Sequence, residues 1–115
     1  MTSIRLFTAL LLTIFPVFLT VADELKVDWQ NTVSMPVSEV AYRVNKWMRN
    51  SGIFIEQSAL KNGGVRIIGS GGEKKQGEQW LVELTPRSSL GTEILIQLEG
   101  DDTVNERIHL LADLF

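Results

Sequence analysis

Two stretches in the second half of the chain place a large apolar side chain at every second position. In EQWLVELTP (78–86), Trp80, Val82 and Leu84 fall on one side. In TEILIQLEG (92–100), Ile94, Ile96 and Leu98 do the same. A period of two suits a half-buried strand and no helix. It also specifies register, because a slip of one residue would turn every large apolar side chain to solvent. Whatever else the chain does, it must build a sheet with one apolar face and then cover that face.

The rest of the chain supplies the parts. LKVDW places Leu25, Val27 and Trp29 opposite Lys26 and Asp28, a first strand. Residues 31–36 then lead into the clearest helix, PVSEVAYRVNKWMRNSG. There Val37, Val40, Ala41, Val44, Trp47 and Met48 form one apolar stripe at helical spacing. Pro36 suits the first helical position, where an N–H has no partner. Glu39 and Arg49 match the helix dipole, and Gly52 suits the left-handed residue that ends a helix. IFIEQSAL and VRIIGSG read as strands joined at Lys61–Gly64, where Asn62-Gly63 is a hairpin signal. Pro86 to Gly91 reads as the turn before the last strand. DDTVNERIHLLADLF reads as a closing helix with a capping box at Thr103–Glu106. Its stripe is Val104, Ile108, Leu111 and Phe115, with Leu110 and Leu114 alongside.

The expected fold is a two-layer α+β domain of order β-α-β-β-β-β-α, an antiparallel five-strand sheet gripping one long helix. The first helix should lie across the sheet, its stripe meeting Trp80, Val82, Ile94 and Ile96.

The N-terminus reads differently. Arg5 precedes an apolar run from Leu6 to Ala22, and no acid occurs before Asp23. Thr20 and Ala22 stand at −3 and −1 of a cut before Asp23, the order of a secretory signal peptide. Residues 1–22 are therefore expected to be removed, and 23–115 to form one domain. An uncleaved anchor is the rival; the run is at the short end for a span and contains Pro16. The chain has no cysteine, so no disulfide supports the fold in an exporting route, and a periplasmic or secreted location is expected.

Most chemistries find little support. The net charge is −3 with acids and bases interspersed, which gives nucleic acid no basic footprint. His109 is the only histidine and lies among leucines, so neither a histidine-based nucleophile nor a usual zinc site is expected. Asp101-Asp102 suits a helix N-terminus. The glycine-rich GSGGEKKQG (69–77) lacks the Gly-Lys-Ser/Thr of a phosphate loop. A strand follows it, so no helix N-terminus receives an anion there. It reads as a hairpin connection kept soluble by Glu73, Lys74, Lys75 and Glu78. No catalytic residue, cofactor or metal ligand is assigned.

What remains is the outward sheet face. Arg66, Ile68, Leu81, Glu83, Leu95 and Gln97 share it and form the candidate partner surface, with Thr85 and Glu93 beside them. The competing expectation is that the C-terminal helix covers part of this face.

The function expected is therefore an exported, non-catalytic binding or assembly module, an accessory protein of an envelope complex with a protein partner. One alternative is a lipid or sugar binder using a groove beside the helix, lined by Tyr42, Trp47 and Trp80. Another is a small hydrolase that uses Glu83 and Glu93 as paired carboxylates. A homodimer through Leu111, Leu114 and Phe115 is expected if that stripe is left uncovered.

Overall fold

The computed structural model describes residues 25–72 and 77–115. The signal-peptide expectation lies outside the described residues, as do residues 73–76 of the glycine-rich connection. In chain order the elements are β1 (Leu25–Val33), α1 (Val37–Asn50), β2 (Ile53–Ala59), β3 (Val65–Gly71), β4 (Gln79–Ser88), β5 (Gly91–Gly100) and α2 (Val104–Ala112). The five strands form one antiparallel sheet in the order β1-β5-β4-β3-β2. The meander β2 to β5 is therefore closed by β1 on its far edge. α1 carries the chain from one edge of the sheet to the other. This is the expected α+β architecture.

Register follows the alternation. Trp80 pairs with Leu98, Val82 with Ile96 and Leu84 with Ile94, so the three largest pairs stack on one face. Trp29 opposite Ile96 and Val27 opposite Leu98 extend that face onto β1. α1 lays Val40, Ala41, Val44 and Met48 on it, all buried with Trp80, Val82, Ile94 and Ile96 in one core. Trp47 meets Trp80 edge-on, ring centroids 5.5 Å apart at 70°, a favoured aromatic geometry. At the end of α1 the Gly52 N–H donates to the Arg49 carbonyl (3.1 Å) with φ 76°, the left-handed turn expected there.

α2 packs on the same face as α1. Val104, Ile108 and Leu111 join the same core. A Cβ on Gly100, which shares the inward parity of Ile96 and Leu98, would lie 3.1 Å from Val104 Cγ1. Arg43 on α1 donates to the Leu114 carbonyl at 3.0 Å, tying the chain end to the first helix. The expectation that the C-terminal helix covers part of the outer face is thus corrected. Gly100 and Glu78 give α2 its seat beside α1, so both helices share one layer.

Several local expectations change. β1 continues to Val33 because Asn31–Val33 find partners in Ile94–Thr92 of β5. Pro36 is the cap before the helix (φ −68°, ψ 156°), with Val37 the first helical residue. β4 runs through Pro86 to Ser88 where a turn was expected. Pro86 lies beyond Leu84, the last residue paired with β3, so its missing N–H removes no bond to that strand. The register slips between Pro86 and Ser88. The capping box is not formed: Thr103 makes no side-chain cap. Its N–H and hydroxyl instead donate to Asp101 Oδ1, at 2.9 and 2.5 Å. Glu78, expected in solvent, is 5% exposed.

Candidate functional site

With both helices on one side, the other side of the sheet is left without a covering element among the described residues. Its side chains follow from register. Ile68 sits directly opposite Leu81, and Arg66 opposite Glu83. Leu81 faces Gln97, and Glu83 faces Leu95. On the edge strand Phe54 faces Ser70 and Glu56 faces Ile68. All six residues expected at a partner surface are therefore brought onto one face, across β3, β4 and β5.

The apolar members of this face form a diagonal. Leu95, Leu81, Ile68 and Phe54 step across four strands toward the β2 edge. Leu81 and Ile68 are a direct pair, and the other steps are diagonal contacts within reach of long or aromatic side chains. Exposure rises along the line: Leu95 and Leu81 are half-buried, Ile68 is 42% exposed and Phe54 73%. Phe54 was read only as a strand residue. The parity that exposes it was legible, because Ile53 and Ile55 take the inner face.

Polar groups hold the face beside this diagonal. Arg66 Nη2 lies 2.8 Å from Glu83 Oε2, a cross-strand ion pair. Glu93 pairs with Arg87 and accepts a hydrogen bond from Gln30 at 2.6 Å. The Gln30 hydrogen bond, then the Arg87 contact, hold the Glu93 carboxyl below its ordinary value. Gln30, Glu83, Thr85, Glu93 and Leu95 line a shallow hollow of about 180 Å³. This bears on the paired-carboxylate alternative. A general acid needs a raised pKa, whereas Glu93 is shifted the other way, so in such a pair it fits the ionised role and not the acid.

The helix layer has grooves of its own. One of about 850 Å³ lies on the β2 side of α1, where Asn45 donates to Gln57 at 2.5 Å. Its lining includes Val37, Ala41, Tyr42, Lys46, Arg49 and Val65. A second, of about 410 Å³, lies between Tyr42, Lys46, Trp47 and Leu114. Of the three aromatics expected to line a groove, Tyr42 does so in both and Trp47 in the smaller. Trp80 is 2% exposed and belongs to the core. Leu111 is fully buried within the chain, and Leu114 and Phe115 pack against the core. The stripe invoked for a dimer is thus occupied internally.

Compared with protein-family models and with curated proteins, the chain matches none. The class of protein is therefore defined by the fold and this face: a two-layer α+β domain whose sheet, among the described residues, is covered on one side.

Proposed function

We propose that the protein is an exported, non-catalytic binding or assembly module that docks a protein partner on the outer face of its sheet, as an accessory protein of an envelope complex. The observation that carries this is the Leu95–Leu81–Ile68–Phe54 diagonal, open because α1 and α2 both lie on the opposite face. Contiguous exposed apolar side chains rimmed by polar ones are the surface type that protein partners cover. Arg66, Glu83 and Gln97 supply the rim. The face is also net acidic. It carries Asp28, Glu56, Glu83, Glu93 and Glu99 against Lys26, Arg66 and Arg87. The partner this fits presents an apolar ridge with basic flanks. Export rests on the charged, apolar, small-residue order of residues 1–22.

The test is a photo-crosslinking side chain placed at Ile68, at Leu81 and, as a control, at Leu110 on α2, in the exporting cell. Ile68 and Leu81 should give the same single adduct, and Phe54→Asp should abolish it. No adduct from either position, or the same adduct from Leu110, overturns the reading.

A further inference from the structure

The groove on the β2 side of α1 has a consistent chemistry unrelated to the outer face. Its floor is apolar: Ala41 is 7% exposed, and Val37 and Val65 pack against the core. Its charged lining is wholly basic, Lys46 and Arg49, with no acid. This is unusual in a chain of 14 acids and 11 bases. Arg43, Arg66, Arg87 and Arg107 each hold a glutamate. Among the described residues Arg49 is the arginine that holds none, and Lys46 forms no ion pair either. Lys46 Nζ stands 6.0 Å from the Tyr42 ring centroid, at the outer limit of a cation–π contact. The C-terminal end of α1 contributes about half a negative charge, which offsets only part of the two cations. The groove thus stays positive above an apolar floor. Its volume, about 850 Å³, falls in the range of small-molecule sites, roughly 300–1,000 Å³.

We propose that this groove binds a single-chain amphiphilic anion, a fatty-acid carboxylate. The alkyl chain lies along Val37, Ala41 and Val65, and the carboxylate sits between Lys46 and Arg49. Lys46 follows Val37 by nine helical steps, about 14 Å along α1, which suits a medium-length chain. Asn45 and Gln57 form the polar wall beside it. Lys46 and Arg49 are one helical turn apart, so both can reach one head group.

Calorimetric titration of the purified protein with dodecanoate, below its micelle concentration, tests this. Saturable one-to-one binding is expected. Lys46→Glu with Arg49→Glu should weaken it at least tenfold, and Lys26→Glu on the outer face should leave it unchanged. Ser38→Trp, which narrows the groove without changing charge, should also weaken it. Should the double reversal fail to fold, Lys46→Gln alone should weaken binding severalfold. Dodecyltrimethylammonium should not bind; equal binding of the cation would show a merely apolar surface and overturn the proposal. Amide shifts should map to Val37, Ala41 and Val65. Shifts at Ile68 and Leu81 would move the amphiphile to the outer face and overturn the groove while leaving that face as a docking surface. Absence of saturation overturns it as well.

Discussion

Arg107 on α2 grips Glu78 at the head of β4 with a two-pronged fork: Nε to Oε2 at 3.0 Å and Nη2 to Oε1 at 2.9 Å. Glu78 Oε1 also accepts from the Trp80 indole at 2.9 Å. The guanidinium lies over the Trp47 ring, 5.4 Å from its centroid, and Trp47 in turn meets Trp80. Four side chains from α1, α2 and the β3–β4 hairpin thus close on one another. The Gly71 N–H donates to the Glu78 carbonyl at 2.8 Å, which ties the hairpin into the same joint.

Breaking this joint on one side should be costly. The Glu78 and Arg107 side chains are only 5% and 16% exposed. Arg107→Ala leaves a buried carboxylate without its cation, and a loss of about 3–5 kcal/mol in urea unfolding is expected. Exchanging both residues for leucine should recover most of that loss. A loss under about 0.5 kcal/mol for Arg107→Ala, the scale of an exposed site, would show that solvent screens the pair.

Two glycines set against packed neighbours, Gly69 and Gly64, should differ in tolerance. A Cβ on Gly69 would lie 2.9 Å from Ile53 Cγ2 and 3.2 Å from Trp80 Cβ. One on Gly64 would lie 2.4 Å from the Leu84 carbonyl oxygen. Side chains can shift where a paired backbone cannot. Gly69→Ala should cost about 1–3 kcal/mol, the range of core overpacking, and Gly64→Ala more. Thermal melts of the two variants rank them; the reverse order would refute the argument.

The carboxyl of Glu93 should titrate below an ordinary glutamate. Gln30 is the leading cause and Arg87 the next. A depressed folded pKa contributes stability that is complete above the unfolded value and is lost as pH falls through the folded one. Side-chain NMR titration should show Glu93 ionised at pH values where the unfolded chain has begun to protonate. Gln30→Leu and Arg87→Ala should each raise its midpoint, since Gln30 acts by a hydrogen bond and Arg87 by a hydrogen bond and its charge. An ordinary or raised midpoint in the unaltered protein would contradict the geometry.

The two sheet faces should respond oppositely to substitution. Phe54→Thr and Ile68→Thr keep a strand-favouring side chain at exposed positions and should cost no more than about 1 kcal/mol. Leu98→Ala, at a fully buried position, should cost about 2–5 kcal/mol. Losses of core size at Phe54 and Ile68 would mean the outer face is packed against something in the isolated chain.

Much of the fold was legible because its signals are local. The alternation in β4 and β5 gave inner and outer parity, and the α1 stripe gave the covering helix. Asn62-Gly63 gave the hairpin, with Gly63 at φ 84°. Glu78 was misread because a short segment of charge and glycine resembles a solvated loop. Its burial depends on Arg107, 29 residues further on. Thr103 looked like a capping residue, but the Asp101 carboxylate two positions earlier engages its N–H and hydroxyl. Trp80 looked available to a ligand, yet its indole closes on Glu78 and its ring on Trp47.

For the candidate surface, parity alone assigned Arg66, Ile68, Leu81, Glu83, Leu95 and Gln97 to one face. A period of two is set by the geometry of each strand, and no distant contact is needed to read it. Parity does not say which face stays open. That was decided by the placement of α2 beside α1, through Val104 against Gly100 and Arg107 against Glu78. The second contact joins residues 29 apart, so it exists only once the chain has closed on itself.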